Sequence, residues 1–156
     1  IDEKKFRVDD AVAATKAALA EGIVPGGGVT LVNLSAGLKA DGSDSLNAGR
    51  QILKQALRVP FTLITANAGM NSEALLAQVE AAKAGMGVNV NDPSGALVDV
   101  KKAGVIDPTR VTREAVQNAV SIAATAITMG ALVVDLPEPE APAAPGGGGM
   151  PGMGMM

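Results

Sequence analysis

Val24-Pro25-Gly26-Gly27-Gly28-Val29 joins two segments of apolar periodicity. Glycine loses more backbone freedom on folding than any other residue, so three in succession are costly to order. Two readings account for them. In one, Gly22 ends the preceding helix and the run is a flexible joint. In the other, a ligand must lie close to the backbone. The N–H groups at a helix start attract anions, and a missing Cβ lets a phosphate approach. The run fits neither G-x-x-x-x-G-K-[ST] nor G-x-G-x-x-G, so the two common nucleotide folds are not indicated.

Upstream of the run, residues 2–21 read as one helix with Val8, Val12, Leu19 and alanines on an apolar side, stopped by Gly22. Downstream, a second helix starts within 27–29, carries Leu31, Leu34 and Leu38, and ends near Asp41-Gly42. A third spans about 45–58, Pro60 interrupts it, and a short helix follows over 61–67. Residues 72–83 form another, with Ser72 as N-cap and Leu75, Leu76 and Val79 inward. Gly85, Gly87, Asn91-Asp92-Pro93 and Gly95 break up residues 85–106 into turns, short strands and a helical turn. The last helix takes Asp107 as N-cap and Pro108 as first residue and runs to about Met129, where Gly130 ends it. Ala131–Asp135 reads as a strand whose partner lies outside this segment, because an isolated hairpin is marginal. Pro137–Met156 holds five prolines, six glycines and four methionines. It buries too little surface to offset ordering and is expected to be disordered. The fold class is mainly α with a small β component.

Composition limits the chemistry. Of 156 residues, 47% are apolar, yet Phe6 and Phe61 are the only aromatics, and His, Cys, Trp and Tyr are absent. The core is therefore built from Ala, Val, Leu and Ile. Without Cys there is no disulfide framework, and without Cys or His no zinc or other soft-metal site is expected. The net charge of −3 offers no basic footprint for nucleic acid. No apolar run approaches the ~20 residues of a membrane span. Ile1-Asp2-Glu3-Lys4-Lys5 lacks an initiator Met and is no signal peptide, so a piece of a longer protein is expected.

Asp9 and Asp10 point about 100° apart around their helix and serve different neighbours. Either is a solvated surface group or a carboxylate that orients a water or takes its proton in phosphoryl transfer. Asp107 is either a helix cap or an acceptor for sugar hydroxyls. The methionines at 150, 153, 155 and 156 read as a weakly apolar tail rather than a metal site.

Several stretches agree in order and spacing with one family. They are Lys4-Lys5-Phe6-Arg7-Val8-Asp9-Asp10-Ala11, then Ala18-Leu19-Ala20-Glu21-Gly22-Ile23 leading into the glycine run. Ala103-Gly104-Val105-Ile106-Asp107-Pro108-Thr109-Arg110-Val111-Thr112-Arg113 follows, with Leu132–Pro137 and the Gly/Pro/Met tail. Together they resemble the C-terminal part of a group I chaperonin subunit, the bacterial GroEL family.

The resemblance implies a chaperonin equatorial-domain-like helical domain. Residues 1–21 would be the last helix of the intermediate domain, 22–136 the second half of the equatorial ATP-binding domain, and 137–156 the tail. Asp10 matches the aspartate that promotes water attack on the γ-phosphate. Gly27 matches a nucleotide-contacting glycine, Asn89 and Val90 the adenine contacts, Val105 an apolar residue on the base, and Asp107 the aspartate holding the ribose. ATP and Mg²⁺ are the implied cofactors, the metal ligand lying outside this segment. The family's Gly-Asp-Gly-Thr-Thr phosphate loop and its apical domain have no counterpart here, so the segment alone is expected to be inactive. The implied partners are other subunits of a homo-oligomeric, heptameric ring, unfolded clients and a co-chaperonin, in the cytoplasm, without nucleic acid or membrane. Thr62 and Met70-Asn71 depart from the Arg and Glu-Glu usual there. A second reading is a non-catalytic chaperonin-like module for assembly or interaction.

Overall fold

The computed structural model describes residues 2–136. Six helices and four short strands follow in the order α1 (Asp2–Glu21), β1 (Ile23–Pro25), α2 (Val29–Gly37), α3 (Asp44–Ala56), α4 (Val59–Asn67), α5 (Ser72–Ala81), β2 (Met86–Val88), β3 (Leu97–Asp99), β4 (Ile106–Pro108) and α6 (Thr109–Thr128). The expected mainly helical chain with a little sheet is what forms. The tail after Leu136, expected to be disordered, lies outside the described residues.

One apolar core organises the middle of the chain. Val29 and Val32 of α2, Phe61 of α4, Leu75 and Val79 of α5, Val88 of β2 and Val100 after β3 bury one another. β-Branched valines dominate because the space between α2, α5 and the β2–β3 hairpin is narrow. Gly87 shows how narrow: a Cβ there would collide with Val29 and lie 2.9 Å from Val100. The buried hydroxyls are satisfied locally, Ser35 donating to the Val32 carbonyl at 2.7 Å and Thr65 to that of Phe61 at 3.0 Å.

Two antiparallel ribbons join distant parts of the chain. β2 pairs with β3, and β1 pairs with β4 in the register Ile23↔Pro108, Val24↔Asp107, Pro25↔Ile106. The second pairing overrides the local reading of Asp107-Pro108. Asp107 sits within β4 instead of capping a helix, Pro108 becomes the cap residue, and α6 begins at Thr109 with no side-chain cap. Asp-Pro favours a helix start locally, but the antiparallel partner some eighty residues upstream claims this backbone first.

Three other expectations are corrected. Asn71, not Ser72, caps α5, its side-chain oxygen accepting from the Ala74 amide at 3.2 Å. Ser72 instead donates to the Thr62 carbonyl at 3.0 Å and ties α5 to α4. Pro60 does not precede α4 but lies in its first turn, where its missing N–H is no loss. Ala131–Asp135, whose expected partner lies outside this segment, is unpaired among the described residues. Leu132, Val133 and Val134 are exposed. α2 is also shorter than expected and ends at Gly37.

Candidate functional site

The glycine run is held on three sides. The Gly26 amide donates to the Val105 carbonyl at 3.0 Å, the Val29 amide to the Gly26 carbonyl at 3.2 Å, and the Thr30 hydroxyl to the Pro25 carbonyl at 2.7 Å. The three glycines have different reasons. A Cβ on Gly26 would lie 2.9 Å from the Ile106 backbone, and one on Gly28 2.8 Å from the Phe61 amide. At both positions the close neighbour is the chain itself. Gly27 is different: its φ of +65° demands glycine, yet a Cβ there would meet only the Val105 side chain at an ordinary 3.5 Å. Gly28, with φ +79°, is the N-cap of α2 and has no side chain to occupy the first-turn amides. Among the described residues, the Gly27 and Gly28 amides donate to no backbone carbonyl.

Asp107 stands beside this turn, opposite Val24 in the β1–β4 ribbon. Its side chain is half-buried, and burial alone pushes its carboxyl above the ordinary value. Among the described residues no donor to that carboxylate offsets the desolvation. Val105, two residues earlier, is half-buried against the core cluster that contains Val88. Asn89 and Val90 follow Val88 at the exit of β2. The Asn89 side-chain oxygen accepts from the Asn91 amide at 3.1 Å and shapes the turn, leaving its NH₂ group pointing elsewhere. The fold thus sets Gly27 beside Val105, puts Asp107 opposite Val24 in the adjoining ribbon, and leaves Asn89 and Val90 just after Val88 of the valine core against which Val105 packs.

Asp10 is placed apart. At ~1.5 Å per residue, about 16 Å of helix axis separates it from Glu21, where α1 meets the ribbon. Asp9 and Asp10 are both exposed. The C-terminal end of α1 is clamped to α6. Arg113 donates from two nitrogens to the two Glu21 oxygens at 2.7 and 3.1 Å, which holds the Glu21 carboxyl below its ordinary value. The Thr109 amide also donates to the Gly22 carbonyl at 3.1 Å. Gly22 itself has φ +80°, and a Cβ there would meet nothing within 4 Å.

Two open clefts of about 460 and 620 Å³ flank β1 and α2, and neither is lined by any of the six candidate residues. Among the described residues no three His, Cys, Asp or Glu side chains gather as a metal would need. No described helix is long and apolar enough to cross a membrane. Sequence reasoning missed the Thr30 contact and the Glu21–Arg113 clamp. A hydroxyl two residues after a glycine run is a readable signal; a pairing across most of the chain is not.

The mainly helical scaffold with its two short ribbons agrees with the comparisons. The TCP-1/cpn60 chaperonin family matches residues 1–137. Chaperonin GroEL 1 of Prochlorococcus marinus (strain MIT 9215) is 45% identical over 147 residues, which is 92% of this chain and 24% of that protein. The crystal structure of a group III chaperonin in the open state superposes with a TM-score of 0.68 at 28% identity, over 75% of this chain and 25% of that one. The chain belongs to the TCP-1/cpn60 chaperonin family and is of the group I type. It spans about a quarter of the length of the curated relative it matches.

Proposed function

We propose that this chain is the nucleotide-closing part of an ATP-driven chaperonin that folds other proteins inside a ring. Residues 1–21 act as the moving intermediate-domain helix and 22–136 as half of the equatorial ATP-binding domain. The observation that carries the reading is Asp107: a half-buried carboxylate without a donor, freed from capping duty and set beside a turn with unpaired amides.

In this reading the Asp107 carboxylate accepts hydrogen bonds from the ribose hydroxyls. The Gly27 amide approaches the phosphates without a Cβ in the way. Val105 covers one face of the base, with Asn89 and Val90 at its edge. Mg²⁺ would neutralise the phosphates, held by residues beyond this segment. Asp10 reaches the γ-phosphate only when α1 swings at Gly22. There it orients the attacking water and takes its proton, since positioning and electrostatics carry phosphoryl transfer. The ring is homo-oligomeric and heptameric and works in the cytoplasm with unfolded clients and a co-chaperonin.

Asp107→Asn tests the reading in a complete subunit that carries this chain as its C-terminal part. ATP titration is expected to show about tenfold or greater weakening, the loss typical of a charge-assisted hydrogen bond. Unchanged affinity would overturn the assignment.

A further inference from the structure

Every helix start needs partners for its first amides, and Ser, Thr, Asp or Asn at the cap ordinarily supplies one. α2 does the reverse. Its cap is Gly28, which makes no side-chain hydrogen bond, and the hydroxyl of Thr30, two residues on, is engaged elsewhere. It donates 2.7 Å back to the Pro25 carbonyl, five residues earlier, from a half-buried position.

We infer that Thr30 is a positioning residue for nucleotide binding: its hydroxyl pins the entry to the glycine turn so that the Gly27 amide stays aimed at the phosphate. The inference rests on the reading of Gly27 and Asp107 given above. On its entry side, two backbone contacts fix the turn besides Thr30 among the described residues. β1–β4 pairing ends at Pro25, and the Gly26 amide reaches Val105. Beyond lie Gly27 and Gly28, with φ of +65° and +79°; Gly28 is held by the Val32 amide at 3.1 Å, whereas the Gly27 amide donates to no backbone carbonyl among the described residues. The Pro25 carbonyl is fixed from within α2 by the Thr30 hydroxyl, as the Gly26 carbonyl after it is by the Val29 amide at 3.2 Å. Losing its partner leaves a half-buried oxygen unsatisfied and spreads the direction of the Gly27 amide. Thr30 lines both clefts beside β1 and α2, and none of the candidate residues does.

The test uses the complete subunit carrying this chain, with ADP as the titrant so that hydrolysis does not intrude. Thr30→Val keeps the shape and removes the hydroxyl. ADP binding is expected to weaken about three- to tenfold, the range of one hydrogen bond. The KM for ATP is expected to rise in proportion while kcat at saturation holds, because the hydroxyl touches no reacting atom. Thr30→Ser restores the donor and is expected to bring affinity back to within about twofold. Thr30→Ala carries the same expectation as Thr30→Val should the β-branched variant not assemble. Wild-type affinity in Thr30→Val and Thr30→Ala, or no recovery in Thr30→Ser, overturns the inference. Asp107→Asn is run beside them: weak binding there with normal binding in Thr30→Val sinks the role of Thr30 alone, whereas normal binding in Asp107→Asn sinks the nucleotide reading and this inference with it.

Discussion

Gly26, Gly27 and Gly28 look alike in the sequence and differ in the fold. That the run was conformationally constrained could be read; what pressed on each residue could not, because Ile106 and Phe61 arrive from distant segments. The distinction predicts an order of stability. Gly26→Ala is expected to cost about 1–3 kcal/mol from overpacking against backbone. Gly28→Ala adds left-handed strain to a similar clash and is expected to cost more. Gly27→Ala carries the strain alone, about 1 kcal/mol. Chemical denaturation of the three variants checks the ranking, and a Gly27→Ala loss equal to that of Gly28→Ala would contradict it. Asp107 gives a pH test. Its carboxyl is raised by burial, so its ionised form opposes folding above the raised pKa, and that penalty is relieved as pH falls towards the ordinary 3.8. Asp107→Asn is therefore expected to leave the chain as stable or more stable at pH 7, the difference closing in acid. Thermal unfolding at pH 7 and pH 4 measures it; a loss of stability at pH 7 would show that the carboxylate has a structural partner.

Helices were legible where their signals are local, in apolar spacing, glycine stops and caps, and α1, α3 and α5 form close to their expected bounds. The misreading at Asp107-Pro108 has a long-range cause: its partner strand lies far along the chain, and nothing local encodes it. Local capping can be tested at Asn71: Asn71→Ala is expected to lower stability by about 1 kcal/mol, and Asn71→Ser by less. The clamp between α1 and α6 is a long-range counterpart. Arg113 holds the Glu21 carboxyl below 4.5, so the clamp's contribution is fully present above that pH and is lost as pH falls through the lowered value. Glu21→Gln is expected to flatten the acid limb of the stability profile and leave the limb above pH 7 unchanged in shape. An unaltered acid limb would mean that the ion pair adds nothing to the α1–α6 contact. The pair is solvent-exposed, so the effect is expected to shrink in high salt.

Across the whole molecule, apolar side chains stay uncovered to a degree unusual for a chain working alone. Phe6, Leu19, Ile127 and Leu136 are 71, 84, 80 and 88% exposed, and α1, α3 and α6 bury no residue fully. The proposal assigns these faces to the rest of the subunit and to ring neighbours. Purified alone, the 156-residue chain is expected to bind an apolar dye and to show no ATP turnover above background. Repeated turnover would contradict the split site. Family motifs made the chaperonin family readable, but the separation of Asp10 from the ribbon was not, since motif order says nothing of how far α1 carries its carboxylate away. The account therefore requires α1 to move. In a complete subunit carrying this chain, single-turnover ATP hydrolysis is measured beside equilibrium ATP binding for Asp10→Ala and Asp9→Ala. The account predicts that Asp10→Ala binds ATP normally and hydrolyses it roughly 10²–10⁴-fold more slowly, while Asp9→Ala keeps most activity. Near-normal hydrolysis by Asp10→Ala, or equal loss in both variants, would contradict it.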